Sequence, residues 1–288
     1  MNDEAPTIVL TGATGGLGAL AATSLAATGA HLVITARSAQ RAEATISSVR
    51  EVAPTADPEV FVVDLSRPGE VRKVGEDIRS RHGRIDVLIN NAGIHAFESR
   101  VTADGLPEMI AVNYLAPFVL TRELLPSLRR SPAGRVVNVA SEASRRHGDL
   151  RIPQVLSDTT PFTARGSSER YGQSKLLDIM FTLALARSLD GSMVTANCVD
   201  PGFNVTGLGR DLRFAAGLER VLRALRIGDP ARGAGLIVDL ATEARYAGRS
   251  GLYVTEKHRR ELVPADPATD ASAQDELWRA TELLLDRL

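Results

Sequence analysis

Cysteine is almost missing from this chain: Cys198, inside the apolar run VTANCVD, is the only one in 288 residues. A lone thiol excludes disulfide scaffolds and cysteine metal clusters, and in an apolar run it is expected to be inert packing. Aromatic residues make up only 4% of the chain, too few for a surface that stacks bases. Neither sign of charge prevails, with 34 basic and 35 acidic residues, so no electrostatic case arises for nucleic acid or an anionic membrane surface as a partner. Long apolar runs are lacking as well, and none approaches the roughly 18 residues of a membrane-crossing helix. The opening MNDEAPTIVL has acids and a proline where a secretory leader needs basic residues and then an apolar core. These absences predict a cytoplasmic protein without a transmembrane segment. Lysine is scarce too, occurring only at 73, 175 and 257.

What is present is alternation. TIVLT, HLVITA, EVFVVD, IDVLIN, GRVVNVA and MVTANCV are runs of near-continuous apolar character, as strands buried on both faces require. Helical patterns cover residues 15–28, 39–52, 68–81, 106–129 (expected in two pieces) and 168–189. Strand–helix units of this spacing predict an α/β fold: one doubly wound, Rossmann-type domain over residues 1–288, with a parallel sheet and helices on both faces.

In such sheets ligands bind beyond the carboxyl ends of the strands. The first strand ends in TGATGGLG, whose Gly12, Gly16 and Gly18 leave room for backbone N–H groups and a helix N-terminus to approach a pyrophosphate. The second ends in ARS, which puts Ala36 and Arg37 where an NAD-selective site keeps an acid. An acid would repel a ribose 2′-phosphate, whereas a guanidinium pairs with it, so NADP(H) is the expected cofactor. Asp64 follows the third strand and suits the exocyclic amine of an adenine. NNAG, Asn90 to Gly93, closes the fourth, with asparagines to tie loop backbone and a glycine that permits close approach. Ser141 closes the fifth, and YGQSK sets Tyr171 and Lys175 four apart on one helix face. Free tyrosine titrates at about 10, and each unit of lowering by a neighbouring cation corresponds to about 1.4 kcal/mol of phenolate stabilisation.

Together these motifs make the chain similar to the short-chain dehydrogenase/reductase family. TGATGGLG, the aspartate of VVDL, NNAG, Asn113 in AVNY, Ser141, YGQSK and PGFNVT run from Thr11 to Thr206 in the family's order. The resemblance implies an NADP(H)-dependent carbonyl reductase or alcohol dehydrogenase acting on a small-molecule ketone, aldehyde or secondary alcohol of apolar character. It implies Tyr171 as general acid or base, Lys175 lowering its pKa and binding the nicotinamide ribose, Ser141 orienting the carbonyl, and Asn113 supporting a water-linked proton relay. The implied cofactor contacts are Gly12, Thr14, Gly16, Leu17, Gly18, Arg37, Asp64, Leu65, Asn91, Ala92, Gly93, Tyr171 and Lys175, with Pro201, Gly202 and Thr206 toward the nicotinamide. GRVVNVASEAS, YGQSKLLDIMFTLALARSLDGSMVTANCVDPGF and SGLYVTE resemble the retinol dehydrogenase and protochlorophyllide reductase branch, from which Asp200 departs, since histidine is common there.

Two other classes compete. A nucleotide-sugar epimerase or dehydratase would show G-x-x-G-x-x-G and a longer C-terminal domain, and a silent NADP-binding regulator would not need Ser141, Tyr171 and Lys175. The resemblance implies a homodimer or tetramer through 106–129 and 168–189, with a monomer also open. Two segments are expected over the substrate: an insert at 142–170 and a segment at 203–229, whose Leu212, Ala215, Ala216, Leu218, Val221, Leu222 and Leu225 have helical spacing that suits either a lid or an ordinary core-packed helix. The five histidines lack metal-ligand spacing, so no metal site is expected. SAQDELWRATELLLDRL reads as an amphipathic helix capped by Ser272, covering the core with Leu277, Trp278, Thr281, Leu284 and Leu288.

Overall fold

Six of the apolar runs become strands, all but the third buried on both faces as their composition requires: β1 (Thr7–Leu10), β2 (His31–Ala36), β3 (Glu59–Val62), β4 (Val87–Asn90), β5 (Arg135–Val139) and β6 (Thr195–Asp200). A seventh, β7 (Tyr253–Thr255), pairs Tyr253 with Cys198 of β6. It was not read from the sequence as a strand because three residues carry no period. The computed structural model describes residues 5–202 and 229–288. Its sheet has the order β3-β2-β1-β4-β5-β6-β7, every neighbouring pair parallel. The chain therefore reverses direction of travel across the sheet between β1 and β4, and that switch opens a crevice at the strand carboxyl ends.

The pleat decides which helix covers what. Ile8 and Leu10 of β1 pack toward α1 (Gly16–Ala27), α2 (Ala39–Val52) and α7 (Pro230–Thr242). Val9, between them, points the other way, toward α3 (Pro68–Arg81), α5 (Ala116–Leu128), α6 (Ala164–Ser188) and α8 (Ala271–Leu285). Each fully buried aliphatic side chain of this kind contributes about 1.5–3 kcal/mol relative to exposure. No helix among the described residues is long and apolar enough to cross a membrane.

Three expectations shift. The stretch expected in two pieces is α4 (Glu108–Ile110), a π-helical turn Ala111–Leu115, and α5. α6 begins at Ala164, so residues 164–170 of the expected insert are its first turns; Ser167 Oγ donates to the Ala164 carbonyl and is accommodated in the helix. The rest of the insert holds two short 3₁₀ turns, with Val155 and Leu156 buried in the core. α8 is capped by Asp270, not Ser272: the Asp270 carboxylate accepts the Ser272 N–H at 2.8 Å. Leu277 and Thr281 are buried as expected, and Trp278 meets Phe118 edge-on at 4.9 Å, but Leu288 is exposed and Leu285 takes the inward position. The segment expected at 203–229 lies outside the described residues except for Asp229, which caps α7 through the Ala231 N–H.

Candidate active site

At the end of β1 the glycine positions have no room for side chains. Gly12 has φ +68°, and a Cβ there would lie 2.8 Å from the Ala92 Cα; at Gly18 it would lie 2.1 Å from the Gly12 carbonyl oxygen. The turn is tied to the β4 loop from both sides. Thr11 Oγ1 accepts the N–H groups of Asn91 and Ala92, each at 3.0 Å, while Asn91 Nδ2 donates to the carbonyls of Thr11 at 2.9 Å and Gly12 at 3.2 Å. Asn91 thus ties loop backbone together, and Thr11, a buried hydroxyl that opens the TGATGGLG motif, is its counterpart. The result is a glycine-lined turn leading into α1, of the kind that suits a pyrophosphate. Thr14, Gly16, Leu17, Leu65, Ala92 and Gly202 are half-buried and Pro201 is buried, while Arg37, Asp64 and Gly93 are exposed. Asp64 accepts the Ser66 N–H at 2.9 Å, which sets the turn after β3. Thr206 lies outside the described residues.

The π-helical turn brings Asn113 inward. Its Oδ1 accepts the Ile94 N–H at 2.8 Å, and its Nδ2 donates to the Ile94 carbonyl and to Ser174 Oγ, both at 2.9 Å. Ser174 in turn donates to the Tyr171 carbonyl at 2.8 Å. One buried amide therefore fastens the β4 loop to the turn of α6 that carries Tyr171, and a π bulge is a common way to place such a residue. Ser174, within YGQSK, was not singled out from the sequence.

Ser141 follows β5 and caps a 3₁₀ turn, accepting the Ala143 N–H at 3.2 Å. This turn lies against α6 at Gly172, where a Cβ would come within 2.7 Å of the Ala143 carbonyl oxygen. The contact brings the Ser141 hydroxyl near enough to the Tyr171 phenol to oppose the rise in its pKa. Asp200, the departure noted above, supports the same place: it accepts the Glu142 N–H at 3.1 Å and the Thr255 hydroxyl at 2.8 Å, joining the ends of β5, β6 and β7.

Burial raises the Tyr171 pKa above its ordinary value; the Ser141 hydroxyl works against this, and the charges of Asp200 and Asp178 add to it. The lowering expected from Lys175 is not seen in the protein alone. Lys175 Nζ is buried and donates to the Val139 carbonyl at 2.6 Å. Burial lowers its own pKa, and Asp178, one helical turn on, opposes that. Asp178 is fully buried, its Oδ1 has no hydrogen-bond partner, and burial pushes its carboxyl up to about 7 against the pull of Lys175. The half-buried His95 stacks on Tyr171 with ring centroids 4.5 Å apart and on Phe97 at 4.7 Å. Ile94, Met109, Ala143 and Phe162 pack around the same phenol, giving its surroundings an apolar lining. Ser141, Tyr171, Lys175 and Asn113 are thus brought together at one sheet edge. Arg37 and Asp64 stand at the far end of the crevice, just beyond the ends of β2 and β3.

Comparison with known proteins identifies the family. The profile of the short chain dehydrogenase family matches residues 6–215. Retinol dehydrogenase 14 of Homo sapiens is 32% identical over 295 residues, which cover 97% of this chain and 86% of that protein. Polyprenol dehydrogenase of Homo sapiens is 31% identical over 280 residues, covering 94% and 82% respectively. Among solved structures, an uncharacterized protein from Mycobacterium paratuberculosis superposes with a TM-score of 0.77 at 28% identity, covering 98% of this chain and 93% of that one.

Proposed function

The chain belongs to the short-chain dehydrogenase family, and from that premise we propose that it is an NADP(H)-dependent oxidoreductase acting on a ketone, aldehyde or secondary alcohol of apolar character. The observation that carries this reading is the gathering of Ser141, Tyr171 and a buried Lys175, bonded to the Val139 carbonyl, at the sheet edge where the glycine turn also opens. The glycine turn fits a dinucleotide because Gly12 and Gly18 let the turn fold tightly against the β4 loop and into α1, closer than a Cβ would allow. Gly12, Gly16, Gly18 and Asn91 would hold the pyrophosphate end, Asp64 the adenine, Arg37 a 2′-phosphate, and Lys175 with Gly93 the nicotinamide ribose. When bound, the cofactor supplies the hydride chemistry.

The protein's part is position and the proton. Ser141 and Tyr171 direct two hydroxyls at a substrate oxygen; Tyr171 gives that oxygen a proton in reduction and takes one back in oxidation. Lys175 is the proposed source of the positive charge that would draw the phenol downward against burial, and Asp178 opposes the lowering of the Lys175 pKa. Asn113 holds the β4 loop and α6 in register so that the relay stays aligned. The apolar lining around Tyr171 supports an apolar substrate, and the names of the two relatives, which denote isoprenoid alcohols, point the same way.

An NADPH-consumption screen over ketones and aldehydes graded in bulk, with product identification and the reverse alcohol screen, tests the reading. Apolar carbonyls are expected to be reduced, with NADPH preferred to NADH. Turnover of none of them in either direction would overturn it.

A further inference from the structure

The five histidines are far apart in sequence, yet the fold brings two of them to one carboxylate. His31 opens β2, Glu59 opens β3, and His82 follows the last residue of α3. Glu59 pairs with Val33, two residues along β2 from His31. Alternation therefore puts His31 and Glu59 on the sheet face that α3 covers. α3 runs back along that face, so His82 arrives over the beginnings of the two strands, at the sheet edge opposite Ser141 and Tyr171.

We propose that His31, Glu59 and His82 form a binding site for a divalent transition ion, zinc by preference. Zinc bonds of 2.0–2.1 Å at tetrahedral angles place neighbouring ligand atoms roughly 3.3 Å apart. Glu59 Oε1 lies 3.1 Å from His31 Nε2 and 3.3 Å from His82 Nε2. The three ligand atoms all lie within 4.8 Å of one another, and the two rings are tilted by 43° with centroids 5.5 Å apart. A simple hydrogen bond accounts for His31 and Glu59. It leaves His82 Nε2 unexplained: that atom is buried and has no hydrogen-bond partner, despite its distance from Oε1. A buried ring nitrogen that lies 3.3 Å from the carboxylate oxygen bonded by a second imidazole, yet makes no hydrogen bond itself, is available to ligate.

The surroundings favour a cation. The C-terminal end of α3 carries the negative pole of the helix. Arg81 lies 3.8 Å from Glu59 Oε2 and stacks over Phe61 at 4.9 Å, so it engages the oxygen that the histidines do not approach. Two neutral imidazoles and one carboxylate, with the fourth position left to water, match the donor set of a zinc site. Closing it would staple the β2–β3 edge to the end of α3, independently of the chemistry proposed above.

The test uses the full chain, free of any tag and stripped of metal, titrated with Co²⁺ and then with Zn²⁺. One equivalent of Co²⁺ should give the visible absorption of a four-coordinate ion, Zn²⁺ should displace it, and Zn²⁺ should raise the thermal midpoint. His82→Ala and Glu59→Gln should each weaken binding by about tenfold or more; Glu59→Gln, at a half-buried strand end, keeps the test open if His82→Ala fails to fold. Absence of the Co²⁺ spectrum in the wild type, or binding unchanged in Glu59→Gln, would overturn the proposal.

Discussion

Arg37 and Asp64, at the β2–β3 end of the crevice, stand in solvent, whereas Asn113, Ser174 and Lys175, at the β5–α6 end, are buried and bonded to backbone or to one another, and Asp178 beside them is buried. Exposed groups interact with a ligand through water, so their contribution is modest, screened by salt and open to substitution without damage to the fold. Buried groups have already lost their hydration, and each is fixed by neighbours that cannot move singly. On the proposed function, cofactor choice and proton transfer fall in parts of the protein that differ in how far they can be altered. Asp200 belongs to the second kind: it holds Glu142 and Thr255 together behind Ser141.

Breaking the buried end should have the largest effects. Tyr171→Phe removes the proton and keeps the ring, so kcat is expected to fall by about two to four orders of magnitude while NADPH affinity, measured by fluorescence titration, holds. A variant within a few-fold of wild type in kcat would show that the phenol is not the acid.

Gly172→Ala should come next. The added Cβ meets the Ala143 carbonyl oxygen at 2.7 Å and must push the Ser141 turn off α6. Steady-state kinetics should show kcat reduced by about tenfold or more, with NADPH binding retained, since misplacing a reacting group by an ångström is enough for such losses. Unchanged kcat would mean that Ser141 does not depend on this contact.

Asp178 sharpens the comparison through pH. Burial raises its carboxyl from the ordinary 3.8 to about 7, so the unfolded chain releases this proton at a lower pH than the folded one. Its contribution to stability is complete below about pH 4 and is lost as pH rises to about 7. Asp178→Asn should remove that slope, gaining on the order of 1–3 kcal/mol relative to wild type between those pH values in urea unfolding. Parallel pH profiles for the two proteins would contradict the burial argument.

The smallest effect is expected at the exposed end. Arg37→Ala should cut the preference for NADPH over NADH by about tenfold, more at low salt than at high, with kcat for the bound complex little changed. Retention of the full preference would move phosphate recognition elsewhere.

Much of this was legible in the sequence, and the reasons are local. Buried parallel strands are short apolar runs, so β1 to β6 were visible, and α2 and α3 were found to the residue at both ends. Gly12 and Gly18 were legible because a strand–turn–helix leaves few reasons for glycine. β7 was missed because its short run borrows its pairing from β6. Asp270 was passed over as a cap because Ser272 offers the same chemistry two residues later. The direction of the Tyr171 shift was hidden because it depends on burial and on Asp178 and Asp200, which sequence proximity to Lys175 does not reveal. His31 and His82 are 51 residues apart, and only the parallel return of the chain brings them to Glu59.

The central claim is that the Ser141–Tyr171–Lys175 cluster delivers a proton to a substrate oxygen as hydride moves to its carbon. It is tested most directly with NADPH deuterated at the transferring position of the nicotinamide and an apolar ketone taken from the screen. Wild type should place deuterium on the carbinol carbon in step with NADPH consumed, and Tyr171→Phe should bind the cofactor and yield almost no labelled alcohol. Labelled product formed equally fast by Tyr171→Phe, or a wild-type protein that transfers no label to any carbonyl in the panel, would contradict the account.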